Sequence, residues 1–228
     1  MDINPTALGV IDHEIYNLTD VELGVDKQRS DVWRALESLS SSDLSTRRAG
    51  LDALIVEDVA HRSPLVSYFL ATRINDPDIS LRIRVVKVLG DVLSPAPDGR
   101  TTPTAVRMHL ASYLSQMRTQ RILALLEVAE SDPSTRDAIA SLLKHCPRGG
   151  AHLAKIMKDR NISLKLRKYA VEFIADVGYL EVIATLERLS VRLGSRLNGN
   201  NLEDLTQDDG DVYLLPEILN TLEVLKSP

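Results

Sequence analysis

Asp76-Pro77-Asp78-Ile79-Ser80-Leu81-Arg82-Ile83-Arg84-Val85-Val86-Lys87-Val88-Leu89-Gly90 is the stretch that decides the fold. Asp-Pro-Asp reads as a turn, because proline lacks an amide donor and pushes the residue before it out of the helical region. Ser80 can cap the orphan amides of a helix start. Behind it Leu81, Val85, Val86, Val88 and Leu89 recur at steps of three and four, one apolar face of a helix reaching about Leu93.

Weaker copies lie on both sides. Asp43-Leu-Ser-Thr-Arg47, Asp132-Pro-Ser-Thr-Arg136 and Asn161-Ile-Ser-Leu-Lys165 share the start of Asp78-Ile-Ser-Leu-Arg82: a turn residue, a Ser able to cap, then a cation. Behind Arg47 the same offsets hold Gly50, Leu51, Ala53 and Leu54. Behind Arg136 they hold Ile139, Ala140, Leu142 and Leu143. In the fourth copy Arg167 fits better than Lys165, giving Ala170, Val171, Phe173 and Ile174. The copies recur at intervals in the thirties, except for one longer step that a proline-rich loop accounts for. That is the period of stacked helix pairs.

The remaining stretches are also helical. A helix is expected after Ser30, with Trp33, Leu36 and Leu39 on one face, and another over Ser45–Val56 with Leu51, Leu54 and Ile55 inward. Ser63-Pro64 reads as N-cap and first turn of a helix to Ile74. Residues 94–104 form a loop with three prolines. Residues 103–130 read as two helices or one kinked near 116–120. Gly149-Gly150 reset the backbone before a short helix from Ala151 to Lys158. Gly178 closes the helix over Ser163–Val177, and Tyr179–Leu193 forms the next. Residues 194–211 read as an acidic, flexible loop, after which Asp211 caps a last helix. Residues 1–29 read as an N-terminal extension, partly helical or loosely ordered. The expected domain is thus a single array over residues 30–226.

The 228 residues are 44% hydrophobic but only 4% aromatic, which favours helix-on-helix packing over a sandwich or barrel. The net charge of −5 argues against nucleic-acid binding. A single cysteine, Cys146, excludes an intramolecular disulfide, and its neighbour His145 does not share its helix face, so no catalytic thiol is read. No signal-peptide pattern and no membrane-length apolar run is seen, so a cytoplasmic protein is expected. His13, His61, His109, His145 and His152 are scattered without metal-ligand spacing, no phosphate-binding glycine loop is present, and the acidic stretch from Asn198 to Asp211 lacks the ligand spacing of a calcium loop. Neither cofactor nor metal is expected.

Asp76-Pro77, Leu81-Arg82 and Leu89-Gly90 resemble the HEAT-repeat family, whose second helix follows Asp-Pro, begins Val-Arg and continues through small apolar residues to Leu-Gly. The resemblance covers about residues 30–225. It implies an all-α, right-handed α-solenoid of about five to six antiparallel helix pairs. It also implies a structural ladder of acids and bases between successive turns: Asp76 with Arg82, Glu130 with Arg136, and Arg167 with Asp159 or Asn161. The second helices would line a concave face offering Arg48, Asp52, Arg84, Lys87, Asp91, Asp137, Ser141, Lys144, Lys168, Tyr169, Glu172 and Asp176. Mixed charge there suits a protein or peptide partner better than a polyanion. The reading is therefore a non-enzymatic interaction scaffold. Two alternatives carried by the same resemblance are an accessory role like the HEAT-like phycobilin lyases and a HEAT-like DNA glycosylase. The second would need a basic groove with aromatics.

Overall fold

The computed structural model describes residues 26–94, 101–199 and 207–227. Among them are eleven α-helices and no strand. The chain divides into two compact units, residues 1–113 and 114–228.

The first unit holds α1 (Asp26–Leu39), α2 (Leu44–Val56), α3 (Pro64–Thr72), α4 (Ile79–Leu93) and nearly all of α5 (Thr104–Leu114). The helix starts are fixed by caps. Ser63 accepts from Val66 N, with Pro64 at the first helical position. In α2 and α4 the cap is the aspartate and not the serine. Asp43 accepts from Thr46 N at 2.7 Å and Asp78 from Leu81 N at 2.9 Å. Ser45 and Ser80 instead donate to those carboxylates, at 2.6 and 2.5 Å. These donors hold Asp43 down to about 2, and the Ser80 hydroxyl likewise holds Asp78 below the usual range.

α1 packs along α2 and α3 along α4. Gly50 lets the first pair close up: a Cβ there would lie 2.6 Å from the Ala35 carbonyl oxygen. Leu36, Leu39, Leu51, Leu54, Leu70, Ile74, Leu81, Val85, Val86 and Leu89 are buried. Three expectations are corrected. α1 begins at Asp26, ahead of Ser30. Its inward stripe is Val32, Ala35, Leu36 and Leu39, which leaves Trp33 44% exposed. Ile55 faces outward rather than inward.

The second unit holds α6 (Thr119–Ser131), α7 (Arg136–Lys144), α8 (Gly149–Lys158), α9 (Leu164–Val177), α10 (Ile183–Gly199) and α11 (Leu215–Lys226). Residues 103–130 are therefore two helices, with the break after Leu114. α8 packs on α9 and α10 on α11, while α9 also lies against α6, α7 and α11. Ser163 caps α9, and Gly178, at φ +80, ends it. Leu142, Leu143, Leu153, Ile156, Val171, Phe173, Ile174, Leu186 and Leu193 are buried.

Gly149 and Gly150 do not reset the backbone. They open the helix α8, and neither has a positive φ. Their role is space: a Cβ at Gly149 would overlap the Tyr179 hydroxyl, and one at Gly150 would lie 2.9 Å from the Tyr179 side chain. That buried hydroxyl donates to the Leu143 carbonyl at 2.6 Å and lies 3.1 Å from the Cys146 carbonyl.

α10 runs to Gly199, so the expected loop from 194 begins as helix. Residues 207–214 form a 3₁₀ segment containing Asp211, which is not the cap of α11. The proline-rich residues 95–100, residues 1–25 and the core of the acidic loop lie outside the described residues.

Candidate interaction surface

The repeated helix starts place charged side chains at matching points of α2, α4, α7 and α9, and most of these bond to one another. In the first unit Arg47 is buried. Its Nη2 donates to Asp76 Oδ1 at 3.1 Å, its Nε lies 3.0 Å from Asp76 Oδ2, and its Nη1 donates to the Ser42 carbonyl at 2.8 Å. Asp76 also accepts from Asp78 N at 2.9 Å. The guanidinium on Asp76 thus comes from the preceding helix pair and is not Arg82, which the sequence pattern had chosen.

The second unit repeats the arrangement. Buried Arg167 donates to the Met157 carbonyl at 2.8 Å and to Asp211, and Arg160 donates to the same carboxylate at 3.0 Å. Burial opposes the charge on Asp211, yet the bonds from Arg167 and Arg160 outweigh it and lower the carboxyl below its usual range. Asp159 bonds locally to Asn161 instead.

The other expected rung is absent in its predicted form. Glu130 meets Lys165 at 3.3 Å. Arg136 reaches across to α9, to Glu172 at 2.6 Å and Asp176 at 2.7 Å, and lies over the ring of Phe173. Asp176, then burial working against it and Glu172, set its basicity, which is raised.

Of the residues expected to meet a partner, six are occupied by their neighbours, Asp176 among them through Arg136. Arg48 on α2 donates to Asp78 at 3.2 Å and to Ser80 at 2.7 Å. Arg84 on α4 reaches back to Asp52. Lys168 binds Glu217 at 2.5 Å and Glu172 holds Arg136. Lys87, Asp91, Asp137 and Lys144 are exposed, and Ser141 and Tyr169 half-buried. The structure thus places α2 and α4 residues together in one unit and α7 and α9 residues together in the other. Sequence reasoning missed Asp78, Ser80, Arg160 and Glu217 as partners. The signal for Asp78 was its place at each helix start. Arg160 and Glu217 carried none, because their partners lie dozens of residues away.

An open groove of about 510 Å³ between α1 and α2 is floored by Ala35, Ala49, Gly50 and Ala53, with Asp31 and Arg34 among its other lining residues. Cys146 is buried, and that burial raises its thiol above its ordinary value, which disfavours the thiolate. Among the described residues no group of three or more His, Cys, Asp and Glu side chains is arranged to hold a metal ion. No described helix is long and apolar enough to cross a membrane. Comparisons with protein-family models, with curated proteins and with solved structures returned no match.

Proposed function

We propose that this chain is a non-enzymatic interaction scaffold of the HEAT kind, a right-handed solenoid that holds a protein or peptide partner on the exposed side of its second helices. The observation that carries the reading is the surface ion pairs linking second helices within each unit: Arg48 with Asp78 and Arg84 with Asp52 in the first, and Arg136 with Glu172 and Asp176 and Lys168 with Glu217 in the second. Such half-exposed pairs contribute only about 0–1 kcal/mol each to stability. They can therefore be exchanged for a partner's charges at small cost, and both signs are presented. The repeated turn-cap-cation starts and the two buried arginine–aspartate links support the stacking of pairs that a solenoid requires.

A polyanion fits this face less well. Arg48, Arg84, Arg136 and Lys168 already have carboxylate partners, and a nucleic acid would have to displace those carboxylates as well as bind.

The test is affinity capture from the native cell, comparing the chain with a variant carrying Arg84→Glu and Lys168→Glu. Both substitutions sit at the surface, so the melting temperature should move little. The scaffold reading expects a stoichiometric protein partner that is lost from the variant. Equal recovery by both forms, or recovery of no protein partner, would sink it.

A further inference from the structure

A second surface stands apart from the row of ion pairs. α8 carries Arg148 at its N-cap, then His152, Lys155 and Lys158. At 100° per residue these fall on one side of the helix, along about 15 Å of its length. The opposite side holds the buried Gly149, Gly150, Leu153, Ala154, Ile156 and Met157. Arg148, Lys155 and Lys158 are exposed, and none of them makes an ion pair among the described residues. This contrasts with α2, α4 and α9, where Arg48, Arg84 and Lys168 reach carboxylates of another element. Arg118, which is exposed and also has no ion pair, directly precedes Thr119, whose hydroxyl lies 2.9 Å from His152 Nδ1. Of the nearby carboxylates, Asp159 lies just past the end of the row and accepts from Asn161, and Glu181 lies against Gly150 on the other side of the helix.

The three cations Arg148, Lys155 and Lys158 so placed repel one another, and an anion would relieve that. We propose that the outward face of α8 is a docking surface for a short acidic segment of a protein partner, with carboxylates spaced along one side to meet Arg148, Lys155 and Lys158. Two observations favour a peptide over a nucleic acid. The face carries no aromatic side chain, its one other member being Ala151, so bases have no platform to stack on. The chain as a whole is acidic, with a net charge of −5. A long polyanion running past the row would meet like charge, whereas a segment of about ten residues would be confined to the row, about two Debye lengths at physiological salt.

The experiment uses the full chain and a fluorescein-labelled peptide of about twelve residues with Glu at every third or fourth position, read by fluorescence anisotropy. A single-stranded RNA of similar length and inorganic phosphate serve as competitors. The proposal expects saturable peptide binding that weakens severalfold from about 50 to about 200 mM salt. Arg148→Glu with Lys155→Glu should weaken it at least about tenfold, while Arg188→Glu on α10 should leave it unchanged. Circular dichroism checks that the variants fold, which their exposed and unpaired positions favour. No binding by the wild type, equal binding by the double variant, or equal loss with Arg188→Glu would overturn the proposal. Displacement of the peptide by RNA at lower concentration than by unlabelled peptide would overturn it in favour of nucleic acid. Displacement by phosphate at comparable concentration would reduce the row to a simple anion site.

Discussion

Tyr179 shows how much one side chain can hold. Its ring occupies the space that two glycines leave, and its hydroxyl serves carbonyls at the end of α7 and just beyond. Burial, reinforced by Cys146 and Glu181, raises the phenol so that it stays a donor throughout the working range. Tyr179→Phe keeps the packing but strips a partner from two carbonyls, at a cost of about 1–2 kcal/mol in urea unfolding. Gly149→Ala should cost at least as much, because a methyl cannot share that space without moving the ring. His152 supplies a pH signature. Burial, then Lys155 and Arg148, lower its imidazole below 6.5. The unfolded chain therefore binds the proton more readily, and stability falls as pH drops below about 6.5. An NMR titration should place the His152 midpoint below 6.5, and His152→Gln should remove that part of the slope.

The helix starts were legible in the sequence because turn residue, serine and cation recur in order. The identity of the cap was not, since aspartate and serine both cap well and only geometry decides which oxygen faces the amides. In α9, where Asn161 replaces the aspartate two residues ahead, Ser163 does cap. Ser163→Ala should therefore cost about 1 kcal/mol by thermal unfolding, whereas Ser80→Ala should cost less because Asp78 remains. Trp33 was misread for a related reason. It sits one position beside the true stripe, and its size gave it more weight than its angle allowed. Gly149-Gly150 looked like a breaker because sequence does not reveal that a tyrosine thirty residues later needs the room. The polar second-helix positions were legible as residue types. Their mutual pairing was hidden, since each partner belongs to a different helix.

Across the units, the same long-range dependence decides where buried charge is tolerated. The acid-to-base offset within one repeat pointed to Asp76 with Arg82, but the guanidinium that meets Asp76 comes from the helix pair before it. Sequence spacing describes one repeat, and the bond joins two. Asp211→Asn should be costly, about 3 kcal/mol or more, because it leaves Arg167 buried without its carboxylate. Its pH dependence has a definite sign. The folded carboxyl lies below 3.8, so its contribution is complete above that value and is lost as pH falls through the lower folded one. Acid unfolding followed by circular dichroism should be steeper for the wild type than for the Asn variant. The forward reach of Arg47 and Arg167 also sets where the chain can be shortened. Arg47, Arg167 and Asp76 each keep a local partner besides, the Ser42 carbonyl, the Met157 carbonyl and Asp78 N in turn. A cut between linked helices still removes an ion pair, so copies trimmed there should melt lower than copies trimmed where no such link is crossed.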